Sequence, residues 1–293
     1  MKESTRQRLD KAGLDPDEVR RIVENALRED LGPQGLDVTS VATIPADQVD
    51  TAELIAREAG VVAGLAVAEL VFELAGPGAE VTVHAADGDT VARGDVLATV
   101  TGPTRTLLSA ERTALNLLCR MSGVATHTRR WVEQLAGTKA LVLDTRKTTP
   151  GLRPLEKYAV RAAGGTNKRM GLYDVAMIKD NHKLAAGSIT AAYELVRATF
   201  PDVLVQVEVT TLAEAREAVD AGAGFLLCDN MSPQLLREVV AAVGDRAELE
   251  ATGGLTLAVA AEYAATGVDY LSVGALTHSS PIVDIALDLR PRK

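Results

Sequence analysis

Apolar residues first recur at helical spacing between Asp15 and Arg28, where Val19, Ile22, Val23, Ala26 and Leu27 share one face. Asp15 is placed to cap that helix, and Pro16 suits its first turn. The next stretch, Glu29 to Thr43, is interrupted by Gly32, Pro33 and Gly35 and reads as a loop. Between Thr51 and Thr101 the period shortens: Glu53 to Arg57 and Glu80 to His84 alternate, while Ala66 to Leu74 is helical. This pattern predicts a small α+β domain. Its last part, Gly88 to Gly102, has the strand-turn-strand look of domains that carry biotin or lipoate, yet holds no lysine for such an arm.

Ser109 is the expected N-cap of a long helix that buries Ala114, Leu115, Leu117, Leu118 and Met121, with Gly123 as a point where it could break in two. Arg112 falls near the start of this helix, at a domain boundary where cleft residues are common. From Ala140 onward short apolar runs end on charged or small polar residues and a helical pattern follows. The run ends are Asp144-Thr145-Arg146-Lys147, Lys179-Asp180-Asn181, Glu208, Asp229-Asn230, Thr252-Gly253-Gly254 and Val273-Gly274-Ala275. Helical patterns lie at Ser188 to Thr199, Leu212 to Ala221, Pro233 to Val243 and Leu257 to Thr266. Strand and helix alternating at this spacing predict parallel strands joined by right-handed crossovers. The six runs are too few to close a complete α/β barrel.

Composition narrows the class. The chain has 293 residues, 47% of them apolar but only 3% aromatic, so its core is built from small and branched aliphatics, as in buried parallel strands. A net charge of -9 with so few aromatics argues against a nucleic-acid surface. No apolar run is long enough for a membrane span and the first residues lack a secretory pattern, so a cytoplasmic location is expected. Cys119 and Cys228 belong to no paired motif and read as reduced thiols. The four histidines fall at no zinc-site spacing.

Charge then singles out one stretch. From Asp144 to His182 eight cations stand against four carboxylates, the reverse of the chain as a whole. Such an excess suggests an anionic ligand, and it lies beside strand-like runs rather than on a solvated face. In an α/β barrel the strands deliver their carboxyl ends to the active site, which is where Arg146, Lys147 and Lys179 fall. Glu208 or Asp229 alone could equally cap the next helix, but several charged strand ends together favour a site. The glycines at Thr252-Gly253-Gly254 and Gly274-Ala275 offer backbone amides to a phosphate. Glu208 and Asp229 would face a cation such as Mg²⁺, or ribose hydroxyls.

In order, RTALNLLCRMSGVAT, DTRKTTPGLRPLEKYAVR, NKRMGLYD, MIKDNH, VEV, CDNM, ATGG and SVGALTHS resemble the motif series of the quinolinate phosphoribosyltransferases over essentially the whole chain. The resemblance implies an N-terminal α/β sandwich domain, residues 1–114 joined by a C-terminal tail 283–293, plus an incomplete parallel α/β barrel over 115–282. It implies phosphoribosyl transfer from phosphoribosyl pyrophosphate to quinolinate with decarboxylation, Mg²⁺ accompanying the donor and no organic cofactor. It also implies a homodimer whose subunits share each site, with no nucleic-acid or membrane partner.

By the same resemblance Arg146, Arg169 and Lys179 hold the quinolinate carboxylates, with Thr145 beside them, and Arg112 is supplied by the partner subunit. Lys147 serves the pyrophosphate and the anomeric carbon. Glu208 and Asp229 are the acidic pair at ribose and magnesium, and Thr252, Gly253, Gly254, Val273, Gly274 and Ala275 surround the ribose phosphate. Two positions depart from the family pattern: Ala163 stands for a glycine, so positive φ is not expected there, and Lys168 stands for a histidine. Lys168 is expected to remain a carboxylate ligand, without imidazole's ability to donate and accept. The rival readings are a related pyrophosphorylase with another acceptor and a non-catalytic sensor of phosphorylated metabolites.

Overall fold

The structure is a computed structural model that describes residues 1–291 and divides into two compact units. The first comprises Met1–His127, Thr148–Ala163 and the stretch from Ser279 onward, and the second comprises Thr128–Lys147 and Gly164–His278.

The first unit opens with helices α1 (Glu3–Lys11) and α2 (Pro16–Leu31). Asp15 caps α2 as its sequence predicts, its carboxylate accepting from the amides of Asp17 and Glu18. Where a loop was expected, Val38–Thr43 forms a short helix, α3. It is too short to display a helical period, and its signal is the cap: Asp37 accepts from the amides of Thr39 and Ser40. There follow β1 (Val49–Ala56), β2 (Gly60–Val61), α4 (Leu65–Ala75), β3 (Glu80–Val83), β4 (Thr90–Val91) and β5 (Val96–Pro103).

The long helix α5 spans Thr104–Gln134, starting before the predicted Ser109 cap and running unbroken through Gly123. Its first turn is held instead by Arg105, whose guanidinium donates to the Ile44 carbonyl. Ser109 lies inside the helix, its hydroxyl 3.3 Å from Asp37 Oδ2. Gly123 is a contact rather than a break: a Cβ there would overlap the Pro281 carbonyl oxygen and lie 2.8 Å from Ile282 Cα. The boundary expected after residue 114 falls within this continuous helix, which passes from the first unit into the second.

Next come β6 (Leu141–Leu143), in the second unit, and α6 (Arg153–Ala162), in the first. Ala163, just after α6, has φ of -93°, so the missing glycine costs nothing. The second unit continues with β7 (Val175–Ile178), α7 (Asp180–Ala186), α8 (Ile189–Thr199), β8 (Leu204–Val209) and α9 (Leu212–Asp220). It ends with β9 (Phe225–Asp229), α10 (Pro233–Val243), β10 (Glu248–Thr252), α11 (Ala260–Ala264), β11 (Tyr270–Ser272) and α12 (Ala275–His278). The final strand, β12 (Ile285–Leu289), returns to the first unit.

In the first unit the sheet order is β12-β1-β5-β3, and α4 packs against α1, α2 and β3. The second unit holds a six-stranded sheet in the order β6-β11-β10-β9-β8-β7, every pair parallel. β6 and β7 are its two ends, so the predicted six strands form an incomplete barrel. Alternation along each strand separates two faces. Val205, Val207, Leu226, Cys228, Leu249, Ala251 and Leu271 are buried. The residues between them, including Gln206, Glu208, Asp229, Glu250 and Thr252, line a cavity.

An exposed helix-interior glycine normally gains about 1 kcal/mol on becoming alanine. Gly123→Ala should do the opposite and cost about 1–3 kcal/mol through overpacking against the Pro281 backbone. Denaturant unfolding checks this, and a raised midpoint would remove the close-approach role.

Candidate active site

The cavity of about 330 Å³ in the second unit is lined from the strands of the parallel sheet and the loops that follow them. Thr145, Arg146 and Lys147 reach it after β6, Lys179 after β7, Glu208 from β8, Asp229 from β9 and Thr252 from β10. Lys168 and Arg169 enter from the segment before β7. Five cations of the stretch thus share one concavity with Glu208 and Asp229, while Arg153, Lys157 and Arg161 lie on α6 in the first unit.

Arg169 is part-buried, and its Nε donates to the Gly171 carbonyl at 2.9 Å. Burial lowers its affinity for the proton first, and repulsion from Arg146 lowers it further, with Asp174 opposing both. Asp174 holds the loop in place by accepting from the amides of Met170 and Gly171, at 2.7 and 3.0 Å. Two guanidiniums repelling each other in a cavity wall form a receptor for an anion, since a carboxylate pair between them removes the repulsion and adds charge-assisted hydrogen bonds.

Lys147 is fixed from its backbone outward. Its carbonyl accepts from Thr277 Oγ1 at 2.8 Å, and its amide donates to Thr145 Oγ1 at 3.1 Å. A Cβ on Gly274 would lie 2.9 Å from Lys147 Cδ, so the glycine leaves room for the lysine stem. Lys179 is the N-cap of α7, its amide donating to His182 Nδ1 at 3.0 Å.

On the facing strands Glu208 stands 3.7 Å from Lys179 Nζ. Burial raises the Glu208 carboxyl above its ordinary range; Lys179 opposes the shift, and neighbouring Asp229 and Asp180 add to it. Behind this pair Lys183, almost fully buried, bridges Asp180 at 2.8 Å and Glu214 at 2.9 Å. Glu214 also accepts from the Thr210 amide and hydroxyl, so the loop after β8 is tied to α7 and Lys179 is held beside Glu208. Asp229 is oriented by Asn230, whose Nδ2 donates to Asp229 Oδ2 at 2.8 Å. Asn230 has φ of 52°, and its amide donates to the Thr252 carbonyl, so the loops after β9 and β10 are locked together. Gly253 permits this contact: a Cβ there would overlap the Asn230 side chain.

Lys168 lines the cavity, but its ammonium is committed elsewhere. It donates to Glu248 Oε2 at 2.9 Å and lies 3.0 Å from the Phe225 ring centroid and 4.7 Å from that of Tyr270. Glu248, Phe225 and Tyr270 are the first residues of β10, β9 and β11, so the amine points toward the amino ends of the strands. The expected carboxylate ligand is thus drawn away by a salt bridge and two aromatic faces. Above it Glu250, only 3% exposed, accepts from Gln206 Nε2 at 2.5 Å and is hydrogen-bonded to Ser272. Burial pushes the Glu250 carboxyl up to about 7, against the opposing pull of Ser272, Lys168 and Gln206.

The remaining expected residues are not part of the lining. Arg112 lies exposed on α5 in the first unit. Gly253, Gly254, Val273, Gly274 and Ala275 form the loops after β10 and β11 without lining the cavity. The helix expected from Leu257 begins only at Ala260. Sequence reasoning missed Gln206, Glu250 and Ser272 as cavity residues, although strand alternation with Glu208 and Thr252 could have placed the first two. Among the described residues no group of three His, Cys, Asp or Glu side chains is arranged to hold a metal ion by itself. No helix among them is long and apolar enough to cross a membrane.

Two family models match the chain: Quinolinate phosphoribosyl transferase, N-terminal domain, over residues 37–122, and the C-terminal domain of the same name over residues 124–288. A nicotinate-nucleotide pyrophosphorylase [carboxylating] from Mycobacterium leprae (strain TN) is 49% identical over 278 residues, 93% of this chain and 98% of that one. The chloroplastic enzyme of that name from Arabidopsis thaliana is 39% identical, covering 93% of this chain and 83% of its own. The solved nicotinate-nucleotide pyrophosphorylase from Francisella tularensis superposes with a TM-score of 0.90 at 34% identity, over 94% of this chain and 98% of that one.

Glu250 gives a pH signature. Its folded carboxyl, near 7, lies above the ordinary range, so between that range and 7 the folded state holds a proton that the unfolded state has lost. Stability on this account falls as pH rises across the window, by up to about 3 kcal/mol, and stays low above it. Thermal unfolding of Glu250→Gln against the unaltered chain should therefore show the difference shifting in the variant's favour as pH rises from about 5 to 7. A pH-independent difference would count against the shift.

Proposed function

The chain belongs to the quinolinate phosphoribosyl transferase family, and on that premise we propose how its cavity carries out the reaction. The enzyme transfers a phosphoribosyl group from phosphoribosyl pyrophosphate to the ring nitrogen of quinolinate and releases a ring carboxylate. The products are nicotinate mononucleotide, pyrophosphate and carbon dioxide, a step of NAD biosynthesis. The observation that carries the assignment of roles is that Arg146, Arg169 and Lys179 line the same cavity as Lys147, Glu208 and Asp229, so cations for two carboxylates and a leaving group stand beside an acidic pair.

In this reading Arg146 and Arg169 grip the quinolinate carboxylates, with Lys179 and the Thr145 hydroxyl completing the acceptor side. Lys147, anchored through Thr277 and Gly274, neutralises the departing pyrophosphate. As the bond to pyrophosphate lengthens the ribose gains oxocarbenium character, and the Glu208–Asp229 side of the cavity stabilises it. Those two carboxylates suit a magnesium ion that arrives with the donor's phosphates, since Mg²⁺ is commonly held by one or two carboxylates plus phosphates and water. The ion would supply charge neutralisation for the pyrophosphate. The loops at Gly253-Gly254 and Val273 to Ala275 take the ribose phosphate through their amides.

Lys168 contributes to the wall rather than to substrate. Arg112, exposed on its own chain and outside the cavity lining, is supplied to the site of a second copy in a homodimer. The enzyme works in the cytoplasm, a placement that rests on sequence character and leaves organellar relatives such as the chloroplastic one as the contrasting case.

Pyrophosphate release from phosphoribosyl pyrophosphate should require quinolinate; equal release with nicotinate or with no acceptor would sink the acceptor assignment. Lys147→Ala should lower turnover by about a thousandfold or more with quinolinate KM within about tenfold, because its charge acts on the leaving group. Steady-state kinetics should also separate the neighbours: Arg169→Met raises quinolinate KM by at least about a hundredfold, and Lys168→Met by less than about tenfold. Mixing Arg112→Ala chains with Lys147→Ala chains should restore activity in heterodimers, and heterodimers without activity would exclude a shared site.

A further inference from the structure

The reaction leaves one chemical demand that none of the roles above meets. When carbon dioxide departs, the electron pair of the broken bond stays on ring carbon 2, stabilised by the positively charged ring nitrogen beside it. That carbon must gain a proton before the product can leave. Among the described residues the cavity lining contains no histidine, cysteine or tyrosine. Its arginines do not release protons, Lys147 and Lys179 are taken up by the leaving group and the acceptor carboxylates, Lys168 is held by Glu248, and Glu208 and Asp229 belong to the ribose side.

Two carboxyls on the wall, Asp144 and Glu250, remain without a part in binding. Glu250 projects from the middle of β10, lines the cavity, and is held by Gln206 from β8 and Ser272 from β11. The charged and titratable groups around it are Lys168 and Asp144, together with Cys228 on β9 and Tyr270 on β11. Asp144 is itself engaged, accepting from Asn167 Nδ2 at 2.5 Å. The Lys168 ammonium is held by Glu248, so Glu250 has no dedicated counter-ion. A carboxyl in this setting keeps its proton near neutrality, as burial requires.

We infer that the Glu250 carboxyl is the acid that delivers this proton, an inference that rests on the functional reading above. The bond between ring carbon 2 and its carboxylate breaks, the electron pair left on carbon 2 takes the proton from the Glu250 O–H, and carbon dioxide leaves. The Glu250 carboxylate is stabilised in the interval by the Gln206 amide, the Ser272 hydroxyl and the charge of Lys168. It recovers a proton from solvent before the next turnover. The cavity cations then have only to hold the substrate, and the proton comes from a wall that contacts the ring and not its carboxylates.

The test is a single-turnover experiment that follows pyrophosphate and labelled carbon dioxide separately. Glu250→Gln preserves size and hydrogen bonding but has no acidic proton. Its quinolinate-dependent pyrophosphate burst should remain within about twofold, while nicotinate mononucleotide and carbon dioxide appear at least about a hundredfold more slowly. Equal loss of both steps would reveal a merely structural role, and loss of neither would remove the role altogether; each overturns the inference. The unaltered enzyme gives a second reading that needs no variant: its decarboxylation rate should fall as pH rises above about 7, where the acid is spent. A flat profile there overturns the inference too. If the unaltered enzyme fails to release pyrophosphate with quinolinate, the functional reading falls, and this inference with it.

Discussion

Parallel strands all present their carboxyl ends on the same side, and this chain places charge on four of its six. The cost of gathering those charges in a partly dehydrated hollow governs the second unit. Arg146 and Arg169 repel each other, Glu208 is crowded by Asp229 and Asp180, and Lys179 and Glu208 form only a loose pair at 3.7 Å. Such a surface is electrostatically incomplete by itself. A ligand carrying two carboxylates and a string of phosphates satisfies the cationic half, and a sugar with developing positive character satisfies the acidic half. Binding and catalysis thus draw on the same stored repulsion.

Holding that repulsion requires rigid supports behind the charges, and these are hydrogen-bonded rather than apolar. Lys183 joins Asp180 to Glu214, Asn230 joins Asp229 to Thr252, and Thr277 fixes the Lys147 backbone. Deeper in, where closed barrels stack branched aliphatics, this one has Gln206, Glu250 and Ser272 above the Lys168 ammonium. Lys168 shows how a cation beside a binding cavity can be satisfied by the wall itself. A lysine stem is long enough to carry its charge past the cavity to the Phe225 and Tyr270 rings and Glu248. A histidine ring could not make that reach.

Much of this was legible in the sequence because two signals agreed. Where the period runs long, as in α2, α8, α9 and α10, the predicted helices stand within a residue or a few, and for α2 the Asp15 cap agreed with it. The six strands were legible because their apolar runs end abruptly in charged or small residues. Helices α1, α3 and α7 were not, since each is short or polar and shows too little of a period. Ser109 misled because a cap-like residue inside a helix looks the same on paper as one at its start, and the tether that fixes the true start, Arg105 on Ile44, is far away in sequence. The charged strand ends pointed to the cavity; the direction of the Lys168 side chain did not follow, because its aromatic partners come from two other strands. Glu250 shares a face with Thr252 two residues on, so its side of the strand was legible, but its burial was not, because the Gln206 and Ser272 that enclose it come from other strands.

The pairing of β12 with β1 has a bearing on how the protein is made. Ala52 to Ala56 lie against Leu289 to Ile285, so an inner strand of the first sheet meets its neighbour only through the last part of the chain. While the polypeptide is still emerging from the ribosome, β1 is an open edge with unpaired amides and carbonyls, the kind of surface that recruits stray strands. The first sheet is therefore begun before the barrel and completed only after it, and its exposure to aggregation is set by the time taken to translate the barrel that lies between.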